Sequence, residues 1–192
     1  RVLIQNNEIY LTDMDSRTGK AAILGGKATV KGNKIISDTS LNNMGYLNGI
    51  YEDNTYINLG YLGSLALNVK EVGNNTLISY GKLDRVINFT GSDNDEEVNF
   101  SDNYIVDYRR VYEGNNVWND VVRIKGTFKE LNFTGNTYLA PNKYYWTWES
   151  MENPRVAEFT KGLFFHTAAV EKVSMKNNVM QGAMPYYAFG CT

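Results

Sequence analysis

Nucleophilic catalysis of the Ser–His or Cys–His kind needs an imidazole base, and His166 is the only histidine in the chain. It lies inside the apolar run Leu163-Phe164-Phe165-His166-Thr167-Ala168-Ala169, and no G-x-S-x-G elbow occurs to partner it. A packed structural histidine is the simpler reading. Cys191 is the only cysteine, so no internal disulfide can form, and it reads as an incidental residue. One histidine and one cysteine also rule out the usual zinc ligand sets. Phosphate-cradling loops fail as well. Gly25-Gly26-Lys27 lacks the P-loop spacing and the following Ser or Thr, and no G-x-G-x-x-G is present.

Carboxylates could still do chemistry, since a glycosidase needs only two acids facing each other across a cleft. The acids nearest aromatic residues are Asp107, Glu113, Glu149 and Glu152. Nothing in their spacing pairs any two of them, and no catalytic residue is assigned. The loop Ser92-Asp93-Asn94-Asp95-Glu96-Glu97 offers oxygen ligands at alternating positions, which makes Asp93, Asp95 and Glu97 candidate ligands for calcium. It is not an EF-hand, because Val98 and Tyr104 stand where the motif needs glycine and the closing glutamate. Asp13-Met14-Asp15-Ser16 is a weaker case. A solvated turn is the simpler reading of both.

The aromatic segment Tyr144-Tyr145-Trp146-Thr147-Trp148 is the strongest local feature. Strand alternation would put Tyr144, Trp146 and Trp148 on one face. A row of flat rings suits the C–H faces of sugars, with Glu149, Asn142 and Asn153 close enough in sequence to bind hydroxyls. The same row would serve a core or a subunit contact, which is the simpler use of aromatics. Tyr104, Tyr108 and Tyr112 form a comparable stripe. Four Asn-X-Ser/Thr sequons occur, but so asparagine-rich a chain produces them by composition alone.

The bulk numbers bound what these residues can belong to. A chain of 192 residues with 43% hydrophobic and 21% charged residues is a folded globular composition, and no linker or low-complexity tract divides it. One domain, 1–192, is expected. The net charge of −2 leaves no basic field for a phosphate backbone, so nucleic acid is not an expected partner. No apolar run approaches the roughly 18 residues of a membrane helix, and membrane insertion is not expected. Because Arg1-Val2-Leu3-Ile4-Gln5 reads as a strand already under way, the chain is expected to be a fragment or terminal module of a longer protein.

The elements that would position these residues are strands. Short period-two runs rich in Val, Ile, Leu, Thr and Tyr are punctuated by Asn, Gly and Asp. Asn6-Asn7 and Gly32-Asn33 read as hairpin turns. The clearest hairpin is Tyr104–Tyr112 answered by Val117–Ile124 across Glu113-Gly114-Asn115-Asn116. A phrase of the form apolar-Asn-apolar recurs at Ile57-Asn58-Leu59, Ile87-Asn88-Phe89, Val98-Asn99-Phe100 and Leu131-Asn132-Phe133. Its uneven separations count against regular coils. The fold expected is therefore all-β, an antiparallel β-sandwich of jelly-roll type, with at most one short helix near 154–162 after Asn153-Pro154. A β-helix or β-solenoid segment is the alternative.

The texture of Asn- and Gly-capped strands, as in Glu130-Leu131-Asn132-Phe133-Thr134-Gly135-Asn136-Thr137-Tyr138, resembles bacteriophage tail-spike, tail-fibre and receptor-binding appendage domains. The likeness covers residues 50–140 and contains no diagnostic motif. It implies an all-β homotrimer on a virion surface or otherwise outside the cell, directed at cell-surface polysaccharide. None of that family's polysaccharide-cleaving residues maps onto this chain. The function expected is a non-enzymatic binding or assembly module; a polysaccharide-degrading enzyme and a capsid or surface-layer protein are the alternatives.

Overall fold

A computed structural model describes residues 2–12, 21–24, 28–46, 49–67, 69–92, 96–108, 120–141, 161–181 and 184–189. Among them every element is a strand and every strand pairing is parallel. This overturns the antiparallel sandwich. The chain winds as stacked coils, a β-solenoid, and each coil lays one strand on each of three faces.

The first face carries β1 (Val2–Gln5), β4 (Ala28–Lys31), β7 (Ile50–Glu52), β10 (Glu71–Gly73) and β13 (Glu97–Ser101). The second is a separate seven-stranded sheet of β2 (Glu8–Leu11), β5 (Lys34–Ser37), β8 (Thr55–Asn58), β11 (Thr76–Ser79), β14 (Tyr104–Asp107), β16 (Thr137–Leu139) and β18 (Val179–Gln181). The third carries β3 (Ala21–Leu24), β6 (Ser40–Tyr46), β9 (Tyr61–Leu67), β12 (Lys82–Ser92) and β19 (Met184–Phe189). Two long strands, β15 (Asp120–Thr134) and β17 (Lys161–Lys176), run from the third face onto the first and join them into one twelve-stranded sheet. The N-terminal half of β15 pairs with β12 and its C-terminal half with β13. The bend lies at Gly126, where φ is +76° and a Cβ would stand 2.1 Å from the carbonyl oxygen of Gly91. Only glycine fits there.

The turn from first to second face is built the same way seven times. A residue of positive φ (Asn6, Gly32, Asp53, Asn74, Asp102, Gly135, Asn177) precedes an asparagine (Asn7, Asn33, Asn54, Asn75, Asn103, Asn136, Asn178). Each of the first six asparagines donates its backbone N–H and its Nδ2 to the Oδ1 of the asparagine in the next coil, at 2.9–3.2 Å. Each from Asn33 onward also donates Nδ2 to a strand carbonyl in the preceding coil, as Asn75 does to Tyr51. Asn33, Asn54, Asn75, Asn103 and Asn136 are at most 3% exposed, so this ladder satisfies polar groups that burial would otherwise penalise.

The expected hairpin turns therefore sit where turns exist but do the opposite of a hairpin. Asn6-Asn7 and Gly32-Asn33 carry the chain onto a different sheet instead of folding it back. The Tyr104–Tyr112 and Val117–Ile124 pair fails likewise: β14 pairs with β11 and β16, and β15 with β12, β13 and β17. Of the helix expected near 154–162, residues 161 and 162 belong to β17 and the rest lie outside the described residues. The recurring phrase mixes two kinds of position. Asn99 and Asn132 are stacked in register, whereas Asn58 belongs to the second sheet and Asn88 to the third face.

The interior is filled by rows that repeat from coil to coil. Along the first face run Val30, Tyr51, Val72, Phe100 and Phe133; along the second run Ile35, Tyr56, Leu77, Ile105 and Tyr138, all at most 4% exposed. Phe100 and Phe133 meet edge to face at 6.4 Å. A further inward row is polar: Ser37, Asn58, Ser79 and Asp107 are at most 1% exposed. Asn58 donates to Ser79 Oγ at 2.9 Å. Tyr138 donates its hydroxyl to Asp107 at 2.9 Å.

Candidate functional site: an exposed tyrosine ledge

Among the described residues, large apolar side chains left exposed fall into two groups. Val2, Leu3, Tyr10, Val173 and Val179 mark the two ends of the coil stack, while Leu59, Tyr80, Tyr104 and Tyr108 lie on or beside the second sheet. The second group is the candidate site.

Strand geometry puts it there. The second-sheet strands end with Ser37, Asn58, Ser79 and Asp107 pointing inward, so the next residue of each coil turns outward at the corner. Backbone N–H groups of Asp38, Leu59, Tyr80 and Tyr108 donate to the preceding coil at 2.7–3.2 Å and hold these corner residues in register. One corner row is thus Asp38, Leu59, Tyr80, Tyr108, and the register continues to Pro141. Gly81, directly after Tyr80, is forced by crowding, since a Cβ there would lie 1.9 Å from the carbonyl oxygen of Gly60.

The Tyr80 and Tyr108 rings lie 5.0 Å apart and within 6° of parallel. The coil spacing of about 4.8 Å sets that separation, which lies in the range favoured by parallel stacked rings. Tyr80 is 57% and Tyr108 39% exposed. Tyr104 opens β14 on the same outer side, about 13 Å along the strand from Tyr108, in one row with Thr55, Thr76 and Thr137. The outer side of the second sheet thus carries aromatic surface at one edge and a threonine row at the other, and the exposed rings offer the apolar face on which a sugar ring stacks.

The outer side of the first face differs in character. Glu71, Asn99 and Asn132 form a ladder there, Asn132 donating to Asn99 at 2.9 Å and Asn99 to Glu71 at 2.8 Å. Glu97 and Glu130 oppose each other on adjacent coils, a like-charge pair offset by Lys129 at 3.7 Å from Glu97 and Lys172 at 2.6 Å from Glu130. The hydrogen bond from Lys172 holds the Glu130 carboxyl below its ordinary range. A glycosidase acid needs the reverse, a carboxyl kept protonated.

The residues singled out by sequence distribute unevenly. Tyr144, Trp146, Trp148 and Glu149 lie outside the described residues, as do Glu113, Glu152, Tyr112, Asp13, Asp15, Asp93, Asp95 and Cys191. Glu97 opens β13 and is engaged by Lys129. Asp107 is fully buried against Tyr138, where no substrate reaches it. His166 sits in β17, in register with Lys125 and Phe189. Of the tyrosine stripe, Tyr104 and Tyr108 are exposed on the same outer side, at opposite ends of β14. Tyr80, which completes the stack, is 28 residues from Tyr108 and has no sequence signal short of the coil repeat itself. Comparison with protein-family models, curated proteins and solved structures finds no match to this chain. What the molecule defines by itself is a class: an all-β parallel solenoid with an asparagine-laddered corner and an aromatic ledge.

Proposed function

We propose that this chain is a non-enzymatic binding module of a virion appendage or other extracellular surface protein, and that it attaches to cell-surface polysaccharide along the tyrosine ledge. The observation carrying this reading is the stacked, exposed Tyr80–Tyr108 pair, on the same outer side of the second sheet as Tyr104 and the threonine row. A solenoid repeats one side-chain position at each coil, and a polymer repeats one sugar at each unit, so a row of equivalent contacts matches such a ligand. Polysaccharide binding is tested on an array of bacterial surface glycans. Tyr80→Ala and Tyr108→Ala should each weaken binding at least tenfold while the melting temperature moves by a few degrees or less. Unchanged binding in both variants would remove the ledge from the reading.

Lateral homotrimer formation is a second reading, favoured by a separate observation. The outward row of the second sheet is Ile36, Ile57, Ile78, Val106 and Leu139, apolar along five coils, with Val106 buried and the other four half-buried. Sedimentation at three times the 21.8 kDa chain mass, lost in Ile57→Lys, supports it; a monomer sinks it.

A further inference from the structure

Coil stacking holds two phenols in a geometry with a chemistry of its own. Tyr80 follows β11 and Tyr108 follows β14, neighbouring strands whose register sets Ser79 beside Asp107. Their rings stack at 5.0 Å between centroids and within 6° of parallel, and both are exposed. Backbone hydrogen bonds pin the pair, since the N–H of Tyr80 donates to Asn58 and that of Tyr108 to Ser79, each at 2.8 Å. A phenol that gives up one electron and its hydroxyl proton becomes a phenoxyl radical, whose unpaired electron is shared between the oxygen and the ortho ring carbons, the Cε atoms. That electron occupies the π system, so its orbital points along the ring normal. In a parallel stack the Cε orbitals of one ring face the other ring. An edge-to-face pair such as Phe100 and Phe133 has no such overlap.

Other described tyrosines do not combine exposure with a facing ring in this way. Tyr51, Tyr56 and Tyr138 are buried in the core, out of reach of an oxidant in solution. Tyr10 is exposed, but its neighbour in the next coil is Ile36. Tyr104 is exposed between Thr76 and Thr137.

We propose that Tyr80 and Tyr108 form an oxidative cross-linking site, at which a peroxidase-type one-electron oxidant joins two neighbouring coils through a dityrosine bond. Each tyrosine gives up one electron and its phenolic proton. The two unpaired electrons then pair as a Cε–Cε bond. Each bonded Cε releases its hydrogen as a proton, each oxygen takes a proton back, and both rings become aromatic again. The chain has lost two electrons and two protons, which convert one hydrogen peroxide into two waters. The bond ties β11 to β14 and closes a loop between positions 80 and 108, constraining the unfolded chain as a disulfide of that span would. Cys191, the single cysteine, can make no internal disulfide to do the same. The site is independent of glycan binding, since phenylalanine keeps the ring face a sugar would use and cannot form a phenoxyl radical.

The test treats the 192-residue chain with hydrogen peroxide and a haem peroxidase over a series of protein concentrations, and follows dityrosine fluorescence and peptide masses. Expected is a monomeric product two hydrogens lighter, with Tyr80 and Tyr108 in one cross-linked peptide and a yield that does not depend on protein concentration. Its melting temperature should rise by about 5 °C or more. Tyr80→Phe and Tyr108→Phe should each lose both the cross-linked peptide and the rise, while Tyr104→Phe should keep both. Dityrosine found only between chains, mapped only to other tyrosines, or formed at full yield in Tyr80→Phe overturns the proposal. So does a chain that forms none under conditions that couple free tyrosine.

Discussion

At the residue scale the ladder asparagines do the most for the fold per side chain. Asn75 donates to Asn103 and Tyr51 and accepts twice from Asn54, all while buried. Removing it takes the acceptor from the Asn54 backbone N–H and one acceptor from its Nδ2, and the donor from the Tyr51 carbonyl, in a dry interior, which costs more than the bonds alone. Asn75→Ala is therefore expected to lower stability by about 3 kcal/mol in a denaturant titration. Asn7→Ala, at the solvent-facing end with its Oδ1 unused, should lose about 1 kcal/mol or less by the same measurement. Equal losses at the two positions would contradict the directional ladder. The residue before each asparagine was legible in sequence as a turn former, since Asn, Asp and Gly tolerate positive φ. Which strand it connected to was not.

Elements are set by how closely neighbouring backbones approach. Gly126 bends β15 from the third face to the first and lets one strand serve two coils. Alanine there faces both an unfavourable φ and the backbone oxygen of Gly91, an atom that cannot swing aside. Gly126→Ala should cost about 3 kcal/mol or more, read as a drop in melting temperature, while Gly73→Ala should be mild because its Cβ would only touch Ser101 at 3.3 Å. The strand runs themselves were readable by period two. Their pairing was not, because a short apolar strand flanked by Asn-Gly looks the same before a hairpin and before a corner. The expectation of an antiparallel sandwich failed at that step.

For the whole molecule, the surface ion pairs and the buried tyrosine predict how stability depends on pH. Hydrogen bonds from Lys34 and Tyr10 hold Glu8 below its ordinary value, Asn74 and Lys31 do so for Asp53, and Lys172 for Glu130. Carboxylates lowered in the folded state contribute stability above their ordinary pKa and lose it as pH falls through the lowered one. Lys31, raised chiefly by Asp53, and Lys34, raised by Glu8, behave oppositely, contributing below their ordinary value and losing it as pH rises through the raised one. Burial also pushes Tyr56 well above its ordinary value, and its hydroxyl has no partner among the described residues. Its share is present below about pH 10 and lost as the solution climbs above that. The melting temperature should thus be flat from about pH 5 to 9, fall slightly below about pH 4 and fall more steeply above about pH 10. The acid limb should shrink in high salt because those pairs are exposed, and the alkaline limb should shrink less because the Tyr56 share of it is buried.

By itself the sequence determined that the chain is built of short strands, that its turns are Asn- and Gly-based, and that the common nucleophilic and zinc chemistries are missing. Those follow from local rules, since strand propensity, positive φ and ligand types belong to single residues and their immediate neighbours. The seven-fold pairing of a left-handed residue with asparagine was also present, at separations of 26, 21, 21, 28, 33 and 42 residues. Insertions of changing length hid it, because a solenoid needs only its corners to align and lets the chain between them wander. Only the tertiary structure decided that the strands run parallel, that Tyr80 and Tyr108 stack, and that Asp107 is buried. Each depends on residues 21 to 42 positions apart being brought within about 5 Å by coil stacking, a distance that no local rule encodes.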